Sequence, residues 1–386
     1  MMKILISPDS FKGSMTSMQA SSAINRAVHE IIPEAETALY PMADGGEGTV
    51  EAVLRGRDGE RISCRVQDPL GRDIDAVYGW IEKEKTAIIE TAAASGLPLL
   101  KPEELDPETA SSYGTGQLIK DATSRGAKTI LLGLGGSATI DAGTGLFQAL
   151  GLKFFDHDKK EIAHIGGRLD LISSIDTSGL IPALSSIKFI VASDVTNPLL
   201  GKEGAIAVFG PQKGVKKHQM ESFEEGMRQF SVIAAQTAGS DMSAEAGSGA
   251  AGGIGFLLKT FLEVEFRNGL DLIVEMIQLE KQLAGTDLIL TGEGRIDGQS
   301  LFGKVPVGIG RLAGKRGIPV IAFAGSIGPG VETLGQEGIQ AVVPIVDGPM
   351  SLEEALHNGE ALLYESAKRL MRILLIANTV EAGDKG

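Results

Sequence analysis

Apolar runs and helical patterns alternate at the start of the chain. The run at residues 4–6 predicts a strand, and apolar positions within residues 20–32 recur at the i, i+3, i+4, i+7 spacing of one helical face. Thr16 and Ser17 are hydroxyl residues suited to cap that helix, and Pro33 follows it. The chain therefore begins as strand, loop and helix.

The same order of elements returns in the last part of the chain. A strand is predicted to end at Thr291, a glycine-rich loop follows it, and a helix is expected from about Val305. Two continuously apolar strands come next, as parallel strands covered on both faces require. Ser351 with Glu354 three residues later is a capping box, which predicts one last helix to about Ala377.

The middle of the chain has a different texture. Period-2 alternation over residues 62–80, around a Pro-Leu-Gly turn, predicts an antiparallel hairpin. Apolar strands and a long amphipathic helix follow, the latter with Met220, Phe223, Met227 and Phe230 on one face. This spacing of Met and Phe is more typical of core packing than of a cofactor site.

These patterns predict an α/β fold with a doubly wound, Rossmann-like domain built from both chain ends and an inserted second mixed α/β domain. The discontinuous domain is expected at residues 1–60 and 285–386, and the inserted domain at residues 61–284. In a two-domain enzyme of this kind the ligand faces the carboxyl ends of the strands.

Composition narrows the class of protein. The 386 residues include 36 Lys and Arg against 50 Asp and Glu, which gives a formal charge of −14. The electrostatic field of this negative charge repels nucleic acid. A single cysteine, Cys64, excludes an internal disulfide and fits a reducing compartment, which favours the cytoplasm. The first residues hold too short an apolar run for a signal peptide, and no run suits a membrane span.

Glycine is unusually frequent, with 51 residues, and indicates many tight turns and loops that approach a ligand closely. Standard nucleotide motifs nevertheless do not fit. Residues 298–305 resemble a P-loop, but Val305 stands where a magnesium-binding hydroxyl is required. Gly308, Gly310 and Ala313 spell GxGxxA within a predicted helix, with no strand directly before them.

Five junctions between strand and loop instead carry hydroxyl, carboxylate or basic residues: residues 8–14, 43–49, 133–141, 192–198 and 291–297. All of them except residues 192–198 also contain glycine. Backbone N–H groups and lysine favour anions, and carboxylates bind Mg²⁺ or hydroxyl groups. An Asp at a strand's carboxyl end can also accept a proton from a hydroxyl. Capped turns, Asx turns, close strand-helix packing and salt-bridged loops are the structural alternatives.

The five histidines are scattered and form no HExxH or i, i+4 pair, which argues against a zinc site or a histidine-based triad. Carboxylates and lysines at glycine loops favour Mg²⁺-assisted phosphoryl transfer, in which the protein positions the reactants and neutralises charge.

Seven segments, in order along the chain, together resemble the bacterial type I glycerate kinases: SPDSFKGSM, MADGGEGT, GLGGSATIDAG, SDVTNPLLG, VFGPQKG, GSGAAGG and TGEGRIDGQSLFGK. The resemblance runs almost from one terminus to the other. It implies ATP-dependent phosphorylation of D-glycerate with Mg²⁺, and a two-domain α/β fold. It favours 2-phosphoglycerate as product, with 3-phosphoglycerate as the alternative.

Site roles are hypotheses drawn from residue types. Asp194 is expected to be the general base or a Mg²⁺ ligand, and the remaining candidates fall into four groups. Lys12 and Arg295 are assigned to catalysis; Ser10, Asp44, Glu47 and Asn197 to substrate binding; Gly135, Gly136, Ser137, Glu293 and Lys304 to nucleotide binding; Asp297, with Asp194, to metal binding.

Two other functions stay open at this stage. One is an NAD(P)-dependent hydroxy-acid dehydrogenase, against which the first strand and helix lack a GxGxxG between them. The other is a non-catalytic metabolite-binding regulator, which would hardly need carboxylates clustered beside Lys and Arg. We expect small-molecule partners only, without nucleic acid or membrane, and leave self-association to a homo-oligomer open.

Overall fold

The computed structural model describes residues 2–383. In chain order the strands are β1 Lys3–Ile6, β2 Glu36–Leu39, β3 Glu60–Gln67, β4 Asp73–Ile81, β5 Thr86–Glu90, β6 Thr129–Gly133, β7 Lys153–Phe155, β8 Ser174–Asp176, β9 Lys188–Ala192, β10 Val264–Arg267, β11 Leu288–Ile296, β12 Val320–Ile327 and β13 Ile339–Pro344. The helices are α1 Ser17–Ile31, α2 Thr49–Gly56, α3 Thr91–Ser95, α4 Tyr113–Ser124, α5 Thr144–Ala149, α6 Ala205–Phe209, α7 Met220–Ala238, α8 Ala250–Phe261, α9 Gly269–Met276, α10 Leu279–Gln282, α11 Val305–Gly314, α12 Leu352–His357 and α13 Gly359–Gly383.

The chain divides into two compact units. The terminal unit comprises Met1–Asp44, Glu51–Gly56 and Leu270–Gly386, and the inserted unit comprises Gly45–Val50 and Arg57–Gly269. The domain limits that we infer from the sequence, near residues 60 and 285, stay a prediction.

A five-stranded sheet forms the centre of the terminal unit, with strand order β13-β12-β11-β1-β2 and every pair parallel. Ile4 and Ile6 belong to the core that the sheet forms with α1 and α13. Leu5 is equally buried, and because side chains alternate across a strand it faces the opposite side of the sheet. There α11 packs on β11, β12 and β13. The predicted doubly wound α/β fold is confirmed.

The order of these strands reverses at one place. From β1 the chain goes first to β2 on one side, and after the inserted unit it returns as β11 on the other side of β1. Open parallel sheets bind their ligands at such a switch point, outside the carboxyl ends of the strands. The residues that follow β1 and those that end β11 are therefore brought to one place.

The glycine-rich segment after Thr291 is strand rather than loop, so that prediction is wrong. β11 runs to Ile296 and stays paired with β12, for example Arg295 with Ser326. The glycines serve close packing: a Cβ on Gly292 would lie 2.6 Å from the carbonyl oxygen of Phe323. A strand this crowded needs glycine. In the sequence alone, the same glycines are typical of a loop.

The predicted single last helix is also wrong. Ser351 caps α12 by accepting a hydrogen bond from the backbone N–H of Glu354, but that helix ends at His357. A second helix, α13, begins at Gly359. A Cβ on Gly359 would lie 2.0 Å from Ser14 Oγ, so the break coincides with a close approach to the loop after β1.

The inserted unit contains a six-stranded sheet of order β10-β9-β6-β5-β4-β3. Strands β5, β6, β9 and β10 are parallel neighbours, and the predicted hairpin, β3 with β4, adds two antiparallel strands at one edge. Helix α7 carries the predicted apolar face, with Phe223, Met227 and Phe230 buried in the core of this unit.

Candidate functional site

A cavity of about 310 Å³ lies in the terminal unit. The loop after β1, the end of β11 and helix α12 all contribute to its wall, which places it at the switch point of the parallel sheet. Its polar lining residues are Asp9, Ser10, Lys12, Ser14, Asp44, Glu293, Arg295, Lys304 and Ser326. Six of the residues that the sequence assigns to the site therefore share one cavity wall.

A tight loop, rather than the start of a helix, follows β1. The N–H of Asp9 donates to the carbonyl oxygen of Gly292, at 2.9 Å, which ties the loop to β11. Phe11 and Met15 then form an antiparallel bridge, and α1 begins only after Thr16. This turn positions Asp9 and Lys12 on the cavity.

Each cation of the cavity faces a carboxylate. Lys12 Nζ lies 3.7 Å from Asp44 Oδ2, and the Lys12 side chain is 80% exposed. Arg295 Nε donates to Asp297 Oδ2 at 2.7 Å.

The third cation, Lys304 Nζ, lies 3.2 Å from Glu293 Oε2, and Ser300 Oγ donates to the other oxygen of that carboxylate at 2.9 Å. The cavity thus presents cations that are paired with carboxylates. An anionic ligand can bind such a cation by replacing its carboxylate partner.

Burial and like charge change the acid strengths in this cavity. Burial, followed by the Asp44 carboxylate, raises the pKa of Asp9 to about 8, although the Ser10 N–H donates to Asp9 Oδ1. The Asp44 carboxylate raises the pKa of Lys12, and burial raises the pKa of Glu293 against the opposing effect of Lys304. A carboxyl group that holds a proton near neutral pH is typical of functional sites.

In the inserted unit, two glycine-bearing loops pack on each other and on the end of β9, at the carboxyl ends of β6 and β9. A Cβ on Gly45 would lie 2.9 Å from the carbonyl oxygen of Ala192, and one on Gly133 would lie 2.4 Å from that of Gly45. A Cβ on Gly135 would lie 2.6 Å from Gly46 Cα. These glycines are needed because one backbone lies directly on another.

Ser137 is more deeply buried than we expect for a residue of an open phosphate-binding loop. The residue is 3% exposed, and its Oγ accepts a hydrogen bond from Lys213 Nζ at 2.6 Å. Its neighbour in the chain, Gly136, has a φ of +76°, a conformation that favours glycine.

Asp194 follows β9 and is exposed, but its position is fixed. Its Oδ1 accepts hydrogen bonds from Asn268 Nδ2 at 2.7 Å and from the Gly269 N–H at 2.9 Å. Asn197 instead donates from Nδ2 to the carbonyl oxygen of Glu203, within its own loop. Of the two predicted metal ligands, Asp194 belongs to the inserted unit and Asp297 to the terminal unit.

Glu47 lies beside a carboxyl group that our sequence reasoning missed. Glu90, at the end of β5, accepts the backbone N–H of Val50 at 2.7 Å at the start of α2. Burial raises the pKa of Glu90 to about 7, and the neighbouring Glu47 adds to this rise. Asp9 and Lys213 were missed as well. The burial of Asp9 and Lys213 and the partial burial of Glu90 depend on long-range packing, although Asp9 and Lys213 lie within segments that the sequence does mark.

Among the side chains that the structure describes, no group of three or more His, Cys, Asp or Glu residues is arranged to hold a metal ion. None of the helices in the described part of the chain is long and apolar enough to span a membrane.

A doubly wound parallel sheet with a cation-lined cavity at its switch point, together with a second sheet bearing glycine loops at the ends of its parallel strands, defines an α/β enzyme. The profile of the Glycerate kinase family matches residues 4–375. The chain belongs to the glycerate kinase family, and it is a phosphotransferase with an alcohol group as acceptor. This assignment replaces the dehydrogenase and the regulator that the sequence left open.

Relatives support the assignment over nearly the whole chain. The glycerate kinase of Halalkalibacterium halodurans is 42% identical over 367 residues, covering 95% of this chain and 97% of the relative. The glycerate 2-kinase of Escherichia coli K12 is 40% identical over 375 residues, covering 97% and 98%. A crystal structure from Salmonella typhimurium LT2, provisionally named glycerate kinase 2, superposes with a TM-score of 0.81 at 41% identity and covers 98% of this chain and 99% of its own.

Proposed function

We propose that the protein transfers the terminal phosphoryl group of ATP to the 2-hydroxyl of D-glycerate and forms 2-phosphoglycerate. Membership of a kinase family implies ATP as the co-substrate. The name of the E. coli relative, glycerate 2-kinase, supports the 2-hydroxyl as the acceptor. The 3-hydroxyl is the alternative acceptor, and phosphorus NMR of the product distinguishes the two.

The observation that carries this proposal is the cavity that gathers Lys12, Arg295 and Lys304 at the switch point. Phosphoryl transfer depends mainly on positioning and on neutralising the charge of phosphate oxygens. We assign these three cations to the carboxylate of glycerate and to phosphate oxygens. Ser10 and Asp44 line the same cavity and are suited to bind hydroxyl groups.

The remaining assignments are proposals of the same kind. Gly135, Gly136 and Ser137 offer backbone and hydroxyl donors for the nucleotide, and Glu293 is assigned to the nucleotide together with Lys304. Glu47 and Asn197 are assigned to the substrate.

Asp194 is proposed as the general base that accepts the proton of the attacking hydroxyl, or as a Mg²⁺ ligand. Its fixed carboxylate and that of Asp297 offer the hard oxygen donors that Mg²⁺ prefers. A Mg²⁺ ion bound with a nucleotide needs only one or two protein carboxylates, so either residue by itself fits the ion. When bound, Mg²⁺ neutralises charge on the phosphate oxygens.

The deciding experiment incubates the purified protein with ATP, Mg²⁺ and D-glycerate and records a proton-coupled phosphorus NMR spectrum. Transfer to the 2-hydroxyl gives a doublet, because one proton lies on the phosphorylated carbon. A triplet would assign the 3-hydroxyl instead. Intact ATP with no phosphoester would contradict the proposed substrate and lead to a screen of other small hydroxy acids.

A further inference from the structure

Lys213 is a buried lysine in the inserted unit, at the turn Pro211–Lys213 that follows α6. The residue is only 2% exposed. Its Nζ donates to Ser137 Oγ at 2.6 Å and to the carbonyl oxygen of Thr139 at 2.9 Å. Both acceptors lie on the loop after β6, and both are neutral.

No carboxylate of the described residues lies within ion-pair distance of Lys213 Nζ. Asp141 is the one charged group whose field acts on Lys213, and it favours the charged form. Its carboxylate is already occupied by N–H groups of Ser112, Gly143 and Gly145 and by Ser112 Oγ. A buried ammonium group with only neutral acceptors is unfavourable, and burial lowers the pKa of Lys213 to about 7.

The loop above this lysine has donor capacity that no described residue uses. Because Ser137 Oγ accepts the hydrogen bond from Lys213, its own hydroxyl proton can be donated to another acceptor. Thr139 Oγ1 is buried and has no hydrogen-bond partner in the described part of the chain. Gly135 and Gly136 precede these hydroxyls. An anion at this loop would satisfy the hydroxyls and stabilise the buried positive charge.

We propose that Lys213 is a positioning residue that holds the loop at residues 135–141 ready for a nucleotide phosphate and takes up a proton when that phosphate binds. The inference rests on the proposed function, since it requires that this loop bind the nucleotide. Lys213 acts through Ser137 and through its charge.

The test is isothermal titration calorimetry at pH 8.0 with the magnesium complex of AMP-PNP, in two buffers of different ionisation enthalpy. At this pH a lysine with a pKa near 7 is mostly neutral, so we expect an uptake of roughly 0.5 to 0.9 proton per bound nucleotide. Lys213→Met should abolish this uptake. Lys217→Met, which removes an exposed lysine four residues further on, should leave it unchanged.

Kinetics give a second readout. Lys213→Met should raise the KM for ATP about tenfold to hundredfold, because a charge-assisted hydrogen-bond network is lost, while Lys217→Met should behave as the wild type. Thermal unfolding of Lys213→Met checks that the variant folds. Because burial of the polar Lys213 amine is itself unfavourable, its replacement by a methionine should not lower the stability greatly.

Three outcomes would overturn the inference: no proton uptake by the wild-type protein, the same uptake by Lys213→Met, or uptake caused by D-glycerate alone. The first and third are measured on the wild-type protein, so they do not depend on the folding of a variant. A doublet in the phosphorus spectrum without proton uptake would refute the role of Lys213 and leave the proposed function intact. An absent phosphoester with uptake on AMP-PNP would do the reverse.

Discussion

Three ionisable residues, the buried Asp9 and Lys213 and the partly buried Glu90, have pKa values displaced toward neutrality. In each, burial is the largest cause, because an apolar surrounding penalises the charged form of an acid and of a base alike. Each lies in or beside one of the seven segments that carry the resemblance to the family: in the loop after β1, at the start of α2, or below the loop after β6. We interpret these groups as part of the binding surfaces rather than as stabilising features.

Asp9→Asn should make the protein more stable at alkaline pH. The folded-state pKa of Asp9, about 8, lies above its ordinary value of 3.8, so the folded protein binds more protons than the unfolded chain between these values. Wild-type stability therefore carries a penalty that grows as the pH rises from about 4 to about 8 and is constant above. We expect Asp9→Asn to raise the unfolding midpoint by several degrees at pH 8.5 and by less at pH 5.

Differential scanning fluorimetry over this pH range measures the effect. Glu34→Gln, which neutralises an exposed carboxylate of the terminal unit, should show no comparable pH-dependent gain. A gain for Asp9→Asn that is the same at pH 5 and pH 8.5 would show that the Asp9 pKa is not raised by folding.

Asp194→Asn tests the proposed base or metal ligand. The amide cannot accept the hydroxyl proton and binds Mg²⁺ poorly, so we expect kcat to fall by at least a hundredfold. Coupled measurement of ADP formation gives the rate, and circular dichroism checks the fold. Asp158→Asn, at an exposed turn of the same unit, is the control and should retain full turnover. Near wild-type turnover of Asp194→Asn would exclude this role.

At the scale of elements, the site loops are held by contact of backbone with backbone. In the inserted unit the segment 251–253 has positive φ at all three residues and packs on the loop after β6. The Ala142 N–H donates to the carbonyl oxygen of Gly252 at 3.1 Å. Such contacts leave no room for a side chain, which explains the glycines of these two motifs.

Gly252→Ala should therefore destabilise the protein more than a comparable change elsewhere. Its φ is +68°, and a Cβ would lie 2.0 Å from the carbonyl oxygen of Thr139. Gly317 has nearly the same φ, +67°, with nothing within 4 Å of its Cβ position, so Gly317→Ala measures the backbone strain alone.

We expect a loss of about 1 kcal/mol for Gly317→Ala and of about 3 kcal/mol or more for Gly252→Ala. Chemical denaturation of both variants gives the two values. Equal losses of unfolding free energy would mean that the loop at Thr139 moves to accommodate the added Cβ at no cost. Because that loop is the proposed nucleotide loop, Gly252→Ala should also raise the KM for ATP, whereas Gly317→Ala should not.

At the scale of the whole molecule, each unit has its own hydrophobic core. In the terminal unit Ile4, Ile24 and Phe323 belong to one core, and in the inserted unit Phe147, Phe189 and Phe256 belong to another. A chain with two cores is not expected to unfold as one two-state system.

Scanning calorimetry should show this directly. We expect the calorimetric enthalpy of unfolding to exceed the van 't Hoff enthalpy by a factor approaching two. Equal enthalpies in a single symmetric transition would indicate that the two cores unfold together.

Local patterns and motifs are enough to predict the class of fold and the family. Apolar runs and helical periodicity predicted β1, α1, the hairpin of β3 and β4, and α7, because these depend on local spacing and on caps such as Thr16. Seven motifs in order identified the family, since their residues need no coordinates to be recognised.

Tertiary contacts, in contrast, set which of these residues share a surface and which of them have shifted pKa values. Strand order brought Lys12 and Arg295 to one cavity although nearly three hundred positions separate them. The burial of Asp9 and Lys213, and the close packing that keeps residues 292–296 in a strand, depend on partners distant in the chain. Local patterns carry no information on such partners, because desolvation and steric exclusion arise only when the elements pack.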